Sequence, residues 1–522
     1  MYRQSSPSQL SFQDFYLPFG GKLSPENRWV KLAEIIPWEE FESTYASQFS
    51  EDMGAPAKGF RMALGALIIK EKLGVSDRET IDQIRENPYL QYFLGLYEYS
   101  DKAPFDASML VHFRKRISLD LVLAVNESVV QAGMEPPAPA TTPSPEEGAS
   151  ETNDNDDSDP PEPPSSGNQG QLIVDASCAP ADIHYPTDLD LLNQAREHSE
   201  RLIDDLYQQV AGCLPKKPRT YRQTARRDYL RIVKRRKKPR KLIRKGLRQQ
   251  LNYVRRNLAH IDRLIEVGAT LAALNPREYK TLLVIHEVFR QQQHMYHHKQ
   301  RRIDDRIVSI SQPHVRPIVR GKAGTPVEFG AKFAISCVAG YVFLDRLSWD
   351  NFTESEDLIP QIKRFRTRTG HYPASVHADQ IYRTRDNLRW CKRHGIRLSG
   401  PPLGRPSLDE AQQTLLRQQA RADESVRVAV EGKFGQAKRR FSLGRVMAKL
   451  AQTAEIMIAI TCLVMNLEKR LRRFIVLLLR ILIRLLRGYQ ADVRPLAATL
   501  NDDWLKTLDH QQGNTDHVWA AG

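Results

Sequence analysis

The chain has 522 residues, too many for one compact core, so two or more domains are expected. Its formal net charge of +15 favours a polyanionic partner, because clustered Lys and Arg release counterions from a phosphate backbone. Five scattered cysteines with no Cys-x-x-Cys pair argue against a disulfide framework or a structural zinc site, and Met1–Ser6 lacks the apolar core of a secretory signal.

Residues 1–134 read as a helical, DNA-binding domain. Phe60–Lys70 is apolar and helix-compatible, Gly74 stops it, and Ser76-Asp77-Arg78-Glu79 matches a capping box for a second helix to about Glu86. Helix, short Gly-containing turn, helix is the outline of a helix-turn-helix, and equally of a plain helical hairpin. A further helix is expected over Ser108–Ile117. Residues 135–170 are rich in Pro, Ser and acids and hold neither Lys nor Arg, so they read as a disordered linker.

Residues 171–187 carry the first strand, Leu172-Ile173-Val174, closed by Asp175. A basic helical insertion follows over 188–310. Between Lys216 and Arg256 it holds 19 Lys or Arg against one acid, Asp228. A charge run is commonly just a solvated face, but one this long and one-signed, with Arg235, Arg236, Lys237 and Lys238 at its centre, favours binding to phosphates. His294, His297 and His298 lie in a Gln-rich helical stretch without a carboxylate partner and read as surface residues.

Residues 311–468 switch to extended structure. Ala331–Val338, Ala339-Gly340 and Tyr341–Asp345 read as a β-hairpin. A helix near Glu354–Thr367 comes next, then a strand ending at Asp379, a helix around Arg385–Arg393, a short strand at Ile396–Leu398 and a helix bearing Glu431. That order describes an α/β fold, a mixed sheet with helices on both faces, interrupted after its first strand by the basic helices. Residues 469–522 hold an Arg/Leu helix and a tail. Arg473, Arg480, Arg484 and Arg487 gather on one face, which favours packing on the protein or along DNA over spanning a membrane.

Three carboxylates carry the chemistry. Two strand-end aspartates, Asp175 and Asp379, and a helical glutamate, Glu431, can share two divalent cations, which about 3.5–4 Å apart stabilise the attacking and leaving oxygens of a phosphodiester displacement. Asp182, Asp188 and Asp190 compete with Asp175, Asp386 competes with Asp379, and Asp345 is explained by a pair with Arg346. Glu328 is a second-tier candidate because it begins the hairpin beside the expected site. On the Glu431 helix, Arg427, Glu431, Gly435 and Lys438 share a face, and Val426, Val430, Phe434 and Phe441 form an adjoining apolar stripe. No Gly-rich loop ending in Lys-Ser/Thr occurs, so nucleotide hydrolysis is not expected.

Val174-Asp175-Ala176 with Tyr185-Pro186-Thr187-Asp188, Pro326–Lys332, His377–Tyr382 and Glu431–Arg440 resemble the DDE transposases of bacterial insertion sequences. The likeness covers roughly Phe15 to Asn466, with an N-terminal domain similar to that of insertion-sequence-five-like members. It implies a ribonuclease-H-like catalytic domain in which Asp175, Asp379 and Glu431 hold two Mg²⁺ ions, with Mn²⁺ as a substitute. It also implies cleavage at the terminal inverted repeats of an element and strand transfer into target double-stranded DNA. Arg427, Lys438, Arg439 and Arg440 would meet DNA phosphates, in a homodimer acting in the bacterial cytoplasm at the nucleoid, with no membrane partner. Arg427, Glu431 and Lys438 match the family's helix signature, whereas Glu424 stands where its Tyr is expected. A non-transposing endonuclease of the same fold and an inactive DNA-binding repressor copy are the alternatives.

Overall fold

The structure, a computed structural model, describes residues 11–18, 20–50, 56–134, 167–319, 327–400 and 410–472. The acidic linker over 135–166 and the Arg/Leu helix from residue 473 onward lie outside the described residues.

Among the described residues seven helices precede the sheet: α1 (Arg28–Ile35), α2 (Trp38–Ala46), α3 (Phe60–Leu73), α4 (Asp77–Glu86), α5 (Pro88–Phe93), α6 (Met109–Arg116) and α7 (Leu119–Gln131). The α3–α4 corner forms as its residues predict. Gly74 closes α3 at φ +69°, in the left-handed region that costs glycine least, and the Ser76 side chain caps α4 by accepting the Glu79 N–H. Trp29, Trp38, Phe60 and Phe93 fill this region's core with tilted and edge-on ring contacts.

The sheet has six strands: β1 (Gln171–Pro180), β2 (Arg316–Val319), β3 (Val327–Val338), β4 (Tyr341–Ser348), β5 (Ser375–His377) and β6 (Arg397–Leu398). Their order is β2-β3-β1-β5-β6, with β4 also on β3; β3 runs antiparallel to β1, β2 and β4, and β5 runs parallel to β1 and β6. The β3–β4 hairpin turns at Ala339 and Gly340, both at positive φ, as a tight two-residue connection requires. Strand β2 was not expected: Pro317 hides it, since a proline is tolerated at an edge but reads as a break. β1 also outruns its expected end. Asp175 lies in mid-strand, because Ala176–Pro180 continue the pairing with β3 from Ala334 to Gly330.

Between β1 and β2 stand α8 (Asp188–Gln209), α9 (Arg222–Val233), α10 (Arg240–Glu266) and α11 (Pro276–His298), which close a core of their own around Leu192, Ile203, Leu206, Val254, Leu264 and Ile285. After β4 come α12 (Leu358–Thr369), entered through a 3₁₀ turn at Glu354–Asp357, α13 (Arg385–Arg393) and α14 (Glu410–Arg439). The last described helix is α15 (Ala451–Arg472).

Both faces of the sheet are covered. Leu172, Val174, Phe343 and Val376 pack with Ile362, Phe365 and Cys391 of α12 and α13. On the other face Ile173, Phe333, Ile335 and Cys337 share a core with α14, α15 and the N-terminal helices. Among the described residues α15 is the helix long and apolar enough to cross a membrane, yet 83% of its most apolar stretch is buried within the protein.

Candidate active site

The site arises where β5 stops. Ser375, Val376 and His377 pair in parallel with Gln171, Leu172 and Ile173, and extending that register by two residues brings Asp379 alongside Asp175. Asp379 leaves the strand to cap a 3₁₀ turn, Gln380–Tyr382, its carboxylate accepting the Gln380 N–H at 2.6 Å. Buried Tyr382 anchors that turn in the core. β1 runs on without a β5 partner, so mid-strand Asp175 lies beside the carboxyl end of β5, on the side of the sheet where open α/β sheets collect ligands.

The two aspartates differ in surroundings. Asp175 is half-buried and accepts the Ala176 N–H at 2.8 Å. Burial pushes its carboxyl up to about 6; the charges of Glu354 and Asp379 add to this, while the Ala176 N–H and Arg427 oppose it. The Asp379 side chain is 55% exposed and lies 3.8 Å from the Arg427 guanidinium, which also pairs with Glu424 at 3.0 Å.

α14 crosses the Ile173 face as its apolar stripe predicts. Val430 and Phe441 are buried, Val426 and Phe434 pack against the same core, and Phe434 meets Phe333 edge-on at 5.7 Å. Upstream, Asp423 binds Arg397 through two hydrogen bonds of 2.8 and 2.9 Å and approaches buried His377 at 3.5 Å. The structure therefore brings Asp175, Asp379 and Arg427 together. Glu431 stands one turn beyond Arg427, beside the buried stripe, with its side chain exposed. Among the described residues no group of three or more His, Cys, Asp or Glu is arranged to hold a metal ion.

The competing carboxylates are engaged elsewhere. Asp182 pairs with Arg445, Asp188 with Arg306 at 2.6 Å, Asp190 accepts the Tyr229 hydroxyl at 2.5 Å, and Asp386 pairs with Arg389 at 3.6 Å. Asp345 is ion-paired, but not to its neighbour: it faces Arg368 at 3.4 Å and Arg364 at 3.6 Å, while Arg346 takes Asp357. Glu328 is not beside the site, because Ile335 is the residue opposite Asp175, seven positions and about 23 Å further along β3. His294, His297 and His298 are exposed.

Sequence reasoning missed Glu354. It pairs with buried Lys332 at 2.9 Å and bears on both Asp175 and Tyr382; the acid-rich Glu354-Ser355-Glu356-Asp357 was the available signal. Of the basic candidates, Arg235, Arg236, Lys237 and Lys238 are exposed in the turn between α9 and α10, where no described acid pairs with them. Arg439 is exposed and bonds back to the Gly435 carbonyl, Arg440 pairs with Glu468 at 3.2 Å, and Lys438 is partly buried.

A mixed sheet with a carboxylate pair beside the end of β5, crossed by a helix carrying Arg and Glu one turn apart, is the arrangement that the resemblance to DDE-type enzymes leads one to expect. Comparison with known families agrees with it. Residues 376–468, which contain Asp379 and Glu431, match a family described as "Transposase DDE domain", and residues 18–116 match a "Transposase domain (DUF772)". Two separate segments of the chain are thus similar to transposase families. It is 33% identical over 135 residues to "Uncharacterized protein ORF8 in nfe locus" of Rhizobium meliloti, a stretch covering 25% of this chain and 65% of that relative. No solved structure matches.

Proposed function

We propose that the chain is a DNA transposase that cuts at the terminal inverted repeats of an insertion sequence and joins the freed 3′ end to target DNA in the cytoplasm. The observation that carries this reading is the convergence of Asp175, in mid-β1, and Asp379, just past the end of β5, beside the Arg427 side chain. The strand order, with antiparallel β3 and β4 on one side of β1 and parallel β5 and β6 on the other, supports a ribonuclease-H-like catalytic domain.

The donor set fits a hard divalent cation. Asp175 and Asp379 are neighbouring carboxylates; burial, with smaller repulsion from Glu354 and Asp379, raises the Asp175 proton affinity, a penalty that a cation removes. Asp175, Asp379 and Glu431 would hold two Mg²⁺ ions, or Mn²⁺. Such a pair, when bound, supplies stabilisation of the attacking and leaving oxygens. The chain's own residues do the rest. Asp175 must be ionised to take a cation, so below about pH 6 protons compete with the cation for its carboxylate. Arg427 and Lys438 position phosphates over the aspartates. Arg439, Arg440 and the Arg235–Lys238 turn hold the flanking duplex, and a homodimer would bring two ends together.

The test is cleavage of a duplex carrying an element end, with Mg²⁺. Asp379→Asn is expected to abolish cutting while keeping end binding, and full cleavage by that variant refutes the assignment. Joining of the cut end to a second duplex separates a transposase from a non-transposing endonuclease.

A further inference from the structure

The buried carboxylate of Glu71 lies far along the chain from the aspartates, near the end of α3 in the N-terminal helical region, and is 2% exposed. It accepts the backbone N–H of Ser442 at 2.9 Å, the Ser442 hydroxyl at 2.8 Å and the Thr461 hydroxyl at 2.6 Å. Ser442 opens the short turn that ends α14, and Thr461 belongs to α15. Beside it, Lys72 pairs with Glu468 of α15, and Glu468 also takes Arg440 at 3.2 Å. That turn is drawn tightly back on the helix it follows, since a Cβ on Gly444 would sit 2.5 Å from the Lys438 carbonyl oxygen.

A buried carboxylate is a costly device for joining two elements that apolar side chains could join, because its desolvation must be offset by several directed hydrogen bonds. What it gives is direction. Three donors from two elements fix where Ser442 sits, three residues past the end of α14 at Arg439, and from Arg439 the helix runs unbroken back to Glu431, about 12 Å away at 1.5 Å per residue. The opposite anchor, Asp423 with Arg397, fixes the helix upstream of Arg427.

We propose that Glu71 is a positioning residue for the catalytic helix. The N-terminal region, through Glu71 and Ser442, sets the height and rotation of α14 and hence where Glu431 meets the aspartates. The proposal rests on the functional reading above only for the identity of Glu431 as the third carboxylate. It makes the α3–α4 corner part of the catalytic machinery as well as a candidate DNA-binding element, since α4 follows Lys72 after the turn Gly74–Ser76.

The experiment uses the full chain with Glu71→Ala, Glu71→Gln and Ser442→Ala. Glu71→Ala is expected to raise the Mg²⁺ concentration for half-maximal cleavage by about ten- to a hundredfold, the range found when groups supporting metal ligands are removed, with affinity for an element end unchanged. Glu71→Gln restores most of this, because its amide accepts the Ser442 N–H and the hydroxyls can turn to accept from it. Where Glu71→Ala does not fold, Ser442→Ala decides by the same shift. Hydrogen exchange of amides 427–442 gives a second readout that needs no activity, and faster exchange in the variants is expected. Unchanged metal dependence in a cutting protein, or unchanged exchange in one that does not cut, overturns the proposal. Altered exchange in an inert wild type leaves the clamp standing and sinks the transposase reading instead.

Discussion

Replacing Asp175 by Asn should stabilise the metal-free protein while removing its chemistry. Asp175 has an ordinary value of 3.8 and stands near 6 in the fold, chiefly through burial. A carboxyl whose folded value is raised contributes fully to stability below 3.8 and loses that contribution as pH climbs through 6. At 1.36 kcal/mol per pH unit the loss above pH 6 is about 3 kcal/mol, an order-of-magnitude figure for a half-buried group. Asn keeps the shape and can still accept the Ala176 N–H, so the variant escapes the penalty. Denaturant midpoints of the chelator-treated full chain between pH 4 and 8 check this. The variant and wild type should coincide near pH 4, diverge in the variant's favour up to pH 6 and stay apart beyond it. Added Mg²⁺ should then raise the wild type by mass action and leave the variant where it was. A variant less stable than wild type at pH 7.5, or a gap independent of pH, would refute the account of an anionic pocket strained for want of a cation.

Replacing Arg235, Arg236, Lys237 and Lys238 together by Ala should weaken DNA binding and reduce the salt slope by about three to four, near 0.9 for each phosphate no longer neutralised; an unchanged slope reduces the turn to solubilising charge. Arg427→Ala removes a charge that opposes the rise at Asp175, so the acid limb of the cleavage pH profile should move upward, and an unmoved limb argues against their proximity in solution. Gly330→Ala should cost about 3 kcal/mol or prevent folding, since its Cβ would sit 2.0 Å from the Ala179 carbonyl oxygen across the β1–β3 pair; an unchanged melting temperature falsifies that packing.

What could be read from the chain follows how local each signal is. Ser76 before Asp77, Ala339-Gly340 between apolar runs, and Arg385–Arg393 between two short strands all carry their structure within a few residues, and all formed as expected. Ala176-Ser177-Cys178-Ala179-Pro180 has weak strand preference, and only pairing with β3 extends β1 through it, which is why Asp175 read as a terminus. The partners of Asp345 come from a helix about twenty residues on, so adjacency to Arg346 misled. Glu354 reaches the site from a loop after β4, a placement that no period in the sequence encodes. Asp379 was legible because a short extended run ended on it and the sheet did place it at a strand end.

The seating of α14 depends on the balance between apolar contact and directed bonds. The helix has 30 residues, yet its fully buried side chains are few: Asp423, Val430 and Ala437, each seven positions apart. Residues spaced by seven trace a narrow seam, which holds a helix against a sheet but resists rotation about its own axis weakly. A turn of one residue, about 100°, would re-aim the exposed Glu431 side chain at little apolar cost. Rotation is instead resisted by the bidentate Arg397 fork on Asp423, whose two hydrogen bonds tolerate little misalignment. The residues that fix the rotation of α14, and with it the direction in which Glu431 points, are therefore polar, lie off the site, and carry no metal-ligand signature in the sequence.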